Sequence, residues 1–152
     1  MNNILVRSLT GAVFITLVLL PLFWTEVSKA IMFGFFMALG LIEFFKFFNS
    51  DKTVSIRWEL GLSYGIILYG IVVMISMGKL PIAFLVTLFP LIFLLFLTEL
   101  WRKKKNPILN LGVYTLGILY IALPFILMAT FAISDKSNFP LLAGMFLLIW
   151  MN

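Results

Sequence analysis

Apolar residues run in long unbroken stretches along this chain, and polar residues gather in short clusters between them. The stretches do not alternate, and they are too long for the strands of a membrane barrel, which are about ten residues with every second one polar. A helix needs about 20 residues to cross the hydrocarbon core of a bilayer. Five runs meet that length: residues 8–24, 30–48, 60–78, 80–98 and a span inside the charge-free stretch 106–134. A sixth opens at Pro140. The pattern predicts an all-α polytopic transmembrane helical bundle with five full spans plus the start of a sixth.

The punctuation agrees with those boundaries. Trp24, Trp58 and Trp101 fall at predicted helix ends, where amphipathic rings favour the interface. Pro81, Pro107 and Pro140 sit near helix starts, where a missing N–H costs nothing. Pro90 and Pro124 lie inside apolar runs and are expected to kink them. The opening "MNNILVRSLTGAVFITLVLLPLFW" has the charge order of a signal peptide but no small-x-small cleavage site, so it reads as a retained anchor.

Composition sharpens the class. Of 152 residues, 63% are hydrophobic and 11% charged, and the mean hydropathy is +1.17. Soluble domains run at roughly 45–50% apolar and about 25% charged, and a soluble fold of this size cannot hide so much apolar surface. The net charge of +5 sits in short loops, not on a folded basic face, which points to anionic membrane lipids and away from nucleic acid. Cysteine and histidine are absent, which excludes Cys/His metal sites and His-based triads.

Cations also orient the chain. Arg7, Lys46, Lys52, Arg57, Arg102, Lys103, Lys104 and Lys105 fall on one side, and Lys29, Lys79 and Lys136 on the other. Eight against three predicts a cytoplasmic N-terminus. No internal repeat or domain linker is evident. The closing "FPLLAGMFLLIWMN" covers only about two-thirds of a crossing, so the chain is expected to continue past Asn152 and to emerge at the cytoplasmic face.

Four stretches could carry chemistry. Glu43, in "GLIEFFKFF", follows only 13 uncharged residues, 30–42, so a full crossing takes it into the bilayer or just under its surface. It either pairs with Lys46 at the interface or lines a polar cavity. "ELWRKKKN" makes Arg102 and Lys103 part of a stop-transfer loop that also attracts anionic headgroups. "GLSYG" places Gly61 and Gly65 for close helix contact, within the chain or in a homodimer. "VRSLTGAVF" sets Arg7 and Thr10 one turn apart at the start of the first helix, as an orientation charge or a phosphate contact. None of these is a catalytic constellation, and the residues alone leave the reaction open.

Taken in order, "RSLTGAVF", "LIEFFKFF", "LGILYIALPF" and "LLIWMN" resemble the N-terminal portion of phosphatidate cytidylyltransferases, the CDP-diacylglycerol synthases. The match extends over nearly the whole chain. The resemblance implies residues 1–152 as the N-terminal transmembrane region of a longer enzyme of the inner (cytoplasmic) membrane, with the catalytic half absent. That enzyme joins CTP to phosphatidate, giving CDP-diacylglycerol and diphosphate, with Mg2+. In that family the catalytic aspartates follow the last of these stretches, so no catalytic or metal residue carries over, and residues 1–152 alone are expected to be inactive. Arg7, Thr10 and Glu43 belong to matched stretches without an assigned role. A fragment of a transporter or flippase, or a non-catalytic membrane scaffold, are the competing readings.

Overall fold

The computed structural model describes residues 3–49, 54–134 and 139–151. Those residues are helical or in connections, with no strand among them. In chain order the helices are α1 (Asn3–Phe23), α2 (Glu26–Phe48), α3 (Trp58–Ser76), α4 (Leu88–Trp101), α5 (Pro107–Gly117), α6 (Leu123–Ser134) and α7 (Phe139–Met151). Among the described residues, four helical segments are long and apolar enough to cross a membrane: Glu26–Phe48, Trp58–Ser76, Ile82–Trp101 and Pro107–Ser134. This is the architecture of a multi-pass membrane protein. The apolar run Leu9–Phe23 is shorter.

Both mid-run prolines follow a departure from regular α-helix. Pro124 has no N–H for the carbonyl four residues back, and its ring crowds that carbonyl. The backbone answers with a π-helical turn, Ile118–Ala122, which joins α5 to α6 in one rod. Ahead of Pro90 the chain instead tightens into a 3₁₀ helix, Ile82–Thr87, before α4 begins. Gly78 closes α3 with φ of 68°, a left-handed turn that glycine adopts without cost. Its N–H reaches the Ile75 carbonyl at 2.9 Å.

The centre of the bundle is α2, which packs against α1, α3, α5 and α6. Its Met37, Leu41 and Phe45 are fully buried one turn apart, a single stripe facing inward. Phe45 sits between two glycines. A Cβ on Gly61 would lie 2.3 Å from its ring, and one on Gly117 2.6 Å. Leu41 fills the equivalent space over Gly65. The "GLSYG" motif therefore serves contact within the chain: Gly61 and Gly65 are buried under α2.

One premise drawn from the sequence fails. Lys29 does not mark the end of an apolar run. α2 begins at Glu26, capped by Thr25, whose hydroxyl accepts from the Ser28 N–H at 3.2 Å. Lys29 is buried, and its Nζ donates to the Ala132 carbonyl near the end of α6 at 2.7 Å. Cation and helix C-terminus suit one another electrostatically. The 23 residues of α2 measure about 34 Å, but the stretch 27–42 ahead of Glu43 spans only about 24 Å, so a full crossing of a core about 30 Å thick still takes Glu43 into the bilayer or just under its surface. Glu43 is exposed, five residues before the end of α2.

Candidate functional site

The connection between α2 and α3 and the connection between α4 and α5 meet at one end of the bundle. What joins them is a buried polar network built on α4 and α5. Glu99, in the last turn of α4, is 1% exposed. Its Oε1 accepts from Asn110 Nδ2 at 2.6 Å, and its Oε2 pairs with Arg102 Nη1 at 2.6 Å. Residues three apart on a helix lie on one face, which is why Arg102 can fold back onto Glu99. Asn110 and Tyr114 stand one turn apart on α5, and both are fully buried.

These side chains hold the backbone of residues 54–57. The Ser55 N–H donates to Asn110 Oδ1 at 3.0 Å, and Arg102 Nη2 donates to the Ser55 carbonyl at 2.9 Å. The Tyr114 hydroxyl accepts from the Arg57 N–H at 2.9 Å and donates to the Arg57 carbonyl at 3.2 Å. From α2, Asn49 Oδ1 accepts the Ile56 N–H at 3.2 Å. The side chains of Val54 and Ile56 are buried in the core. Every buried side-chain nitrogen and oxygen among the described residues has a partner, so the network meets the condition for retaining polar groups in a low-dielectric interior.

The same network shapes the α4–α5 loop. Asn110 Nδ2 also reaches the Lys105 carbonyl at 3.3 Å, and the Asn110 N–H bonds the Asn106 carbonyl at 3.1 Å. Lys103 and Asn106 adopt left-handed backbone, with φ of 47° and 53°. Asparagine tolerates this region, but for lysine it costs about 1 kcal/mol. The result is a tight loop with Lys103, Lys104 and Lys105 exposed. Among the described residues none of these three lysines is in an ion pair; the pair observed is Glu99–Arg102. Exposed Arg57 belongs to the connection that the network holds. Lys46, near the end of α2, lies 5.3 Å from the centre of the Trp58 ring, within cation–π range.

Of the residues singled out by sequence, Arg102 joins the network and Lys103 begins its loop. Glu43 stands apart from it, and Lys46 rests on Trp58 instead of pairing with Glu43. Thr10 is exposed on α1, and its hydroxyl donates to the Val6 carbonyl at 2.9 Å. Arg7 falls on α1, and its side chain lies outside the described residues, as do Lys52, Lys136 and Asn152. The buried residues Glu99, Asn110 and Tyr114 were not distinguished by the sequence pattern.

At the opposite end of α2, the α1–α2 turn borders a concavity of about 640 Å³ lined by Leu22, Trp24, Glu26 and Lys29, among others. Among the described residues no group of three or more acidic residues comes together to hold a metal. Among the described residues the one buried carboxylate, Glu99, has both oxygens engaged. The resemblance assigns no Mg2+ ligand to residues 1–152, and Glu99 is committed to Asn110 and Arg102. No protein-family model, curated protein or solved structure matches the chain.

Proposed function

We propose that this chain forms the membrane region of a phosphatidate cytidylyltransferase, the enzyme that makes CDP-diacylglycerol and diphosphate from CTP and phosphatidate. In this reading α1 adds a fifth crossing to the four longer spans and α7 is the start of a sixth, the N-terminus is cytoplasmic, and the protein sits in the inner (cytoplasmic) membrane. The basic end then faces the compartment that holds CTP. The chain supplies a wall of the groove through which phosphatidate enters from the bilayer. This reading assigns none of the reacting carboxylates, and none of the Mg2+ ligands, to residues 1–152.

The observation that carries the reading is the order of the four resembling stretches along the chain. Two of them also form one packed unit. Phe45 of "LIEFFKFF" fills the space beside Gly117 of "LGILYIALPF", and Phe44 lies 3.2 Å from where a Cβ on Gly117 would be.

The test is complementation. The full reading frame that encodes this chain is expressed in cells depleted of their own CDP-diacylglycerol synthase. Growth should return, and isolated membranes should convert labelled CTP and phosphatidate to CDP-diacylglycerol in the presence of Mg2+. Product no higher than in vector-only membranes would overturn the proposal.

A further inference from the structure

The basic end of the bundle carries more structure than orientation in a membrane requires. Retention of positive charge on one side depends on the number of cations near a helix end, not on a fixed loop shape. Here the loop shape is fixed. Glu99 neutralises Arg102 and turns it into a tie to the Ser55 carbonyl. Asn110 holds the carbonyls of Lys105 and Asn106 from inside. Lys103, just past the C-cap of α4, takes the left-handed conformation that commonly ends a helix, which turns the chain into the loop. The outcome is one cationic face from three segments: Lys46 beside Trp58, Arg57, and the three loop lysines.

We infer that residues 54–57 and the α4–α5 connection, locked together by Glu99, Arg102, Asn110 and Tyr114, form a preorganised docking face for the phosphate headgroups of anionic lipids. Lipid is the favoured occupant because of where the face lies. It caps the ends of four apolar helical segments long enough to cross a membrane. Trp101, 80% exposed, sits directly before the lysine loop, and Trp58 opens α3 beneath Lys46. Indole rings at such positions mark the headgroup level, so lipid phosphates lie beside the lysines at high local concentration. A loop already held in its bound shape loses less freedom on binding than a flexible one. Glu99, Asn110 and Tyr114 are positioning residues in this account, and the lysines make the contact. The face stands whether or not the chain makes CDP-diacylglycerol, and the probe is chosen accordingly: phosphatidylglycerol, a phosphodiester that is not a substrate of that reaction.

The experiment is native mass spectrometry of the purified chain in neutral detergent micelles doped equally with phosphatidylglycerol and phosphatidylcholine. The chain should retain phosphatidylglycerol in about tenfold preference, as expected for several lysines near an anionic headgroup. Replacing Lys103, Lys104 and Lys105 together with glutamine should bring the two lipids near parity. Glu99→Gln separates a positioned face from bulk charge. It raises the net charge by one, so bulk attraction predicts a stronger preference, whereas a loosened face predicts a weaker one. Tyr114→Phe removes the hydroxyl ties to Arg57 without changing charge; it should also weaken the preference, and it decides the matter if Glu99→Gln does not yield folded protein. No preference in the parent chain, or a preference kept or raised in these two variants, would overturn the inference. Displacement of the lipid by inorganic pyrophosphate at matched ionic strength would overturn the lipid assignment.

Discussion

Asn110 donates to the carboxylate of Glu99 at 2.6 Å across the α4–α5 connection, eleven residues apart in sequence and both shut away from solvent. Each is costly to bury without the other. Asn110→Leu should therefore destabilise the protein by about 1–3 kcal/mol, the range for leaving a buried hydrogen-bonding group without its partner, since Arg102 still pairs with Glu99. Combining it with Glu99→Gln should cost less than the sum of the two single changes, by about 0.5–3 kcal/mol of coupling. Reversible unfolding in mixed micelles measures all three; strict additivity would mean the contact carries no energy.

The glycine clamp on Phe45 predicts a sharp contrast between glycines. Gly61→Ala and Gly117→Ala each place a methyl group against a ring that cannot swing away, because the other glycine's helix closes the far side. Overpacking of this kind costs about 1–3 kcal/mol. Gly70 has open space around it, so Gly70→Ala should be neutral or stabilising by up to about 1 kcal/mol. Melting temperatures of the three variants in one detergent would show the order. Phe45→Leu should relieve Gly61→Ala in part.

A π turn is an α-helix with one residue too many. Removing Leu119, which is exposed within the Ile118–Ala122 turn, should let α5 and α6 join as plain α-helix while keeping the buried faces of both in place. Removing Leu127, exposed in α6 beyond the turn, rotates every later residue by about 100° and should take Ala129, Ala132 and Ile133 off the core. Size-exclusion profiles should show a single sharp peak for the first deletion and loss of it for the second. Equal behaviour would mean the extra residue has no such role.

Orientation is open to direct measurement because the chain has no cysteine. Lys104→Cys should react with a membrane-impermeant maleimide only after the membrane is opened, and Lys79→Cys, at the other end of α3, should react in intact cells. The reverse pattern would invert the proposed topology.

How much of this could be read from sequence depends on the range of the interaction. Helices came through because an apolar run of crossing length admits little else, and the prolines marked where the backbone would depart from regular α geometry. Lys29 misled because a cation at the edge of an apolar run looks like a boundary, and only the position of Ala132 shows that it points inward. Glu99 was hidden in "ELWRKKKN", where an acid ahead of four cations reads as part of a solvated loop. A faint signal existed: Glu99 and Arg102 at helical spacing, then Asn110 and Tyr114 at helical spacing, all in the end turns of apolar helices. That these two pairs meet each other, and meet residues 54–57, is tertiary information that no local pattern contains.

The grip on residues 54–57 is almost wholly a grip on main-chain atoms: Ser55 through its N–H and carbonyl, Ile56 through its N–H, Arg57 through both. A scanning library should accordingly be lopsided. Positions 55 and 57 should accept nearly any letter except proline without unfolding, while Asn49, Glu99, Asn110 and Tyr114, written far away in the chain, should tolerate very few. Positions 55 and 57 are free to drift, and the constraint falls on the residues that hold them.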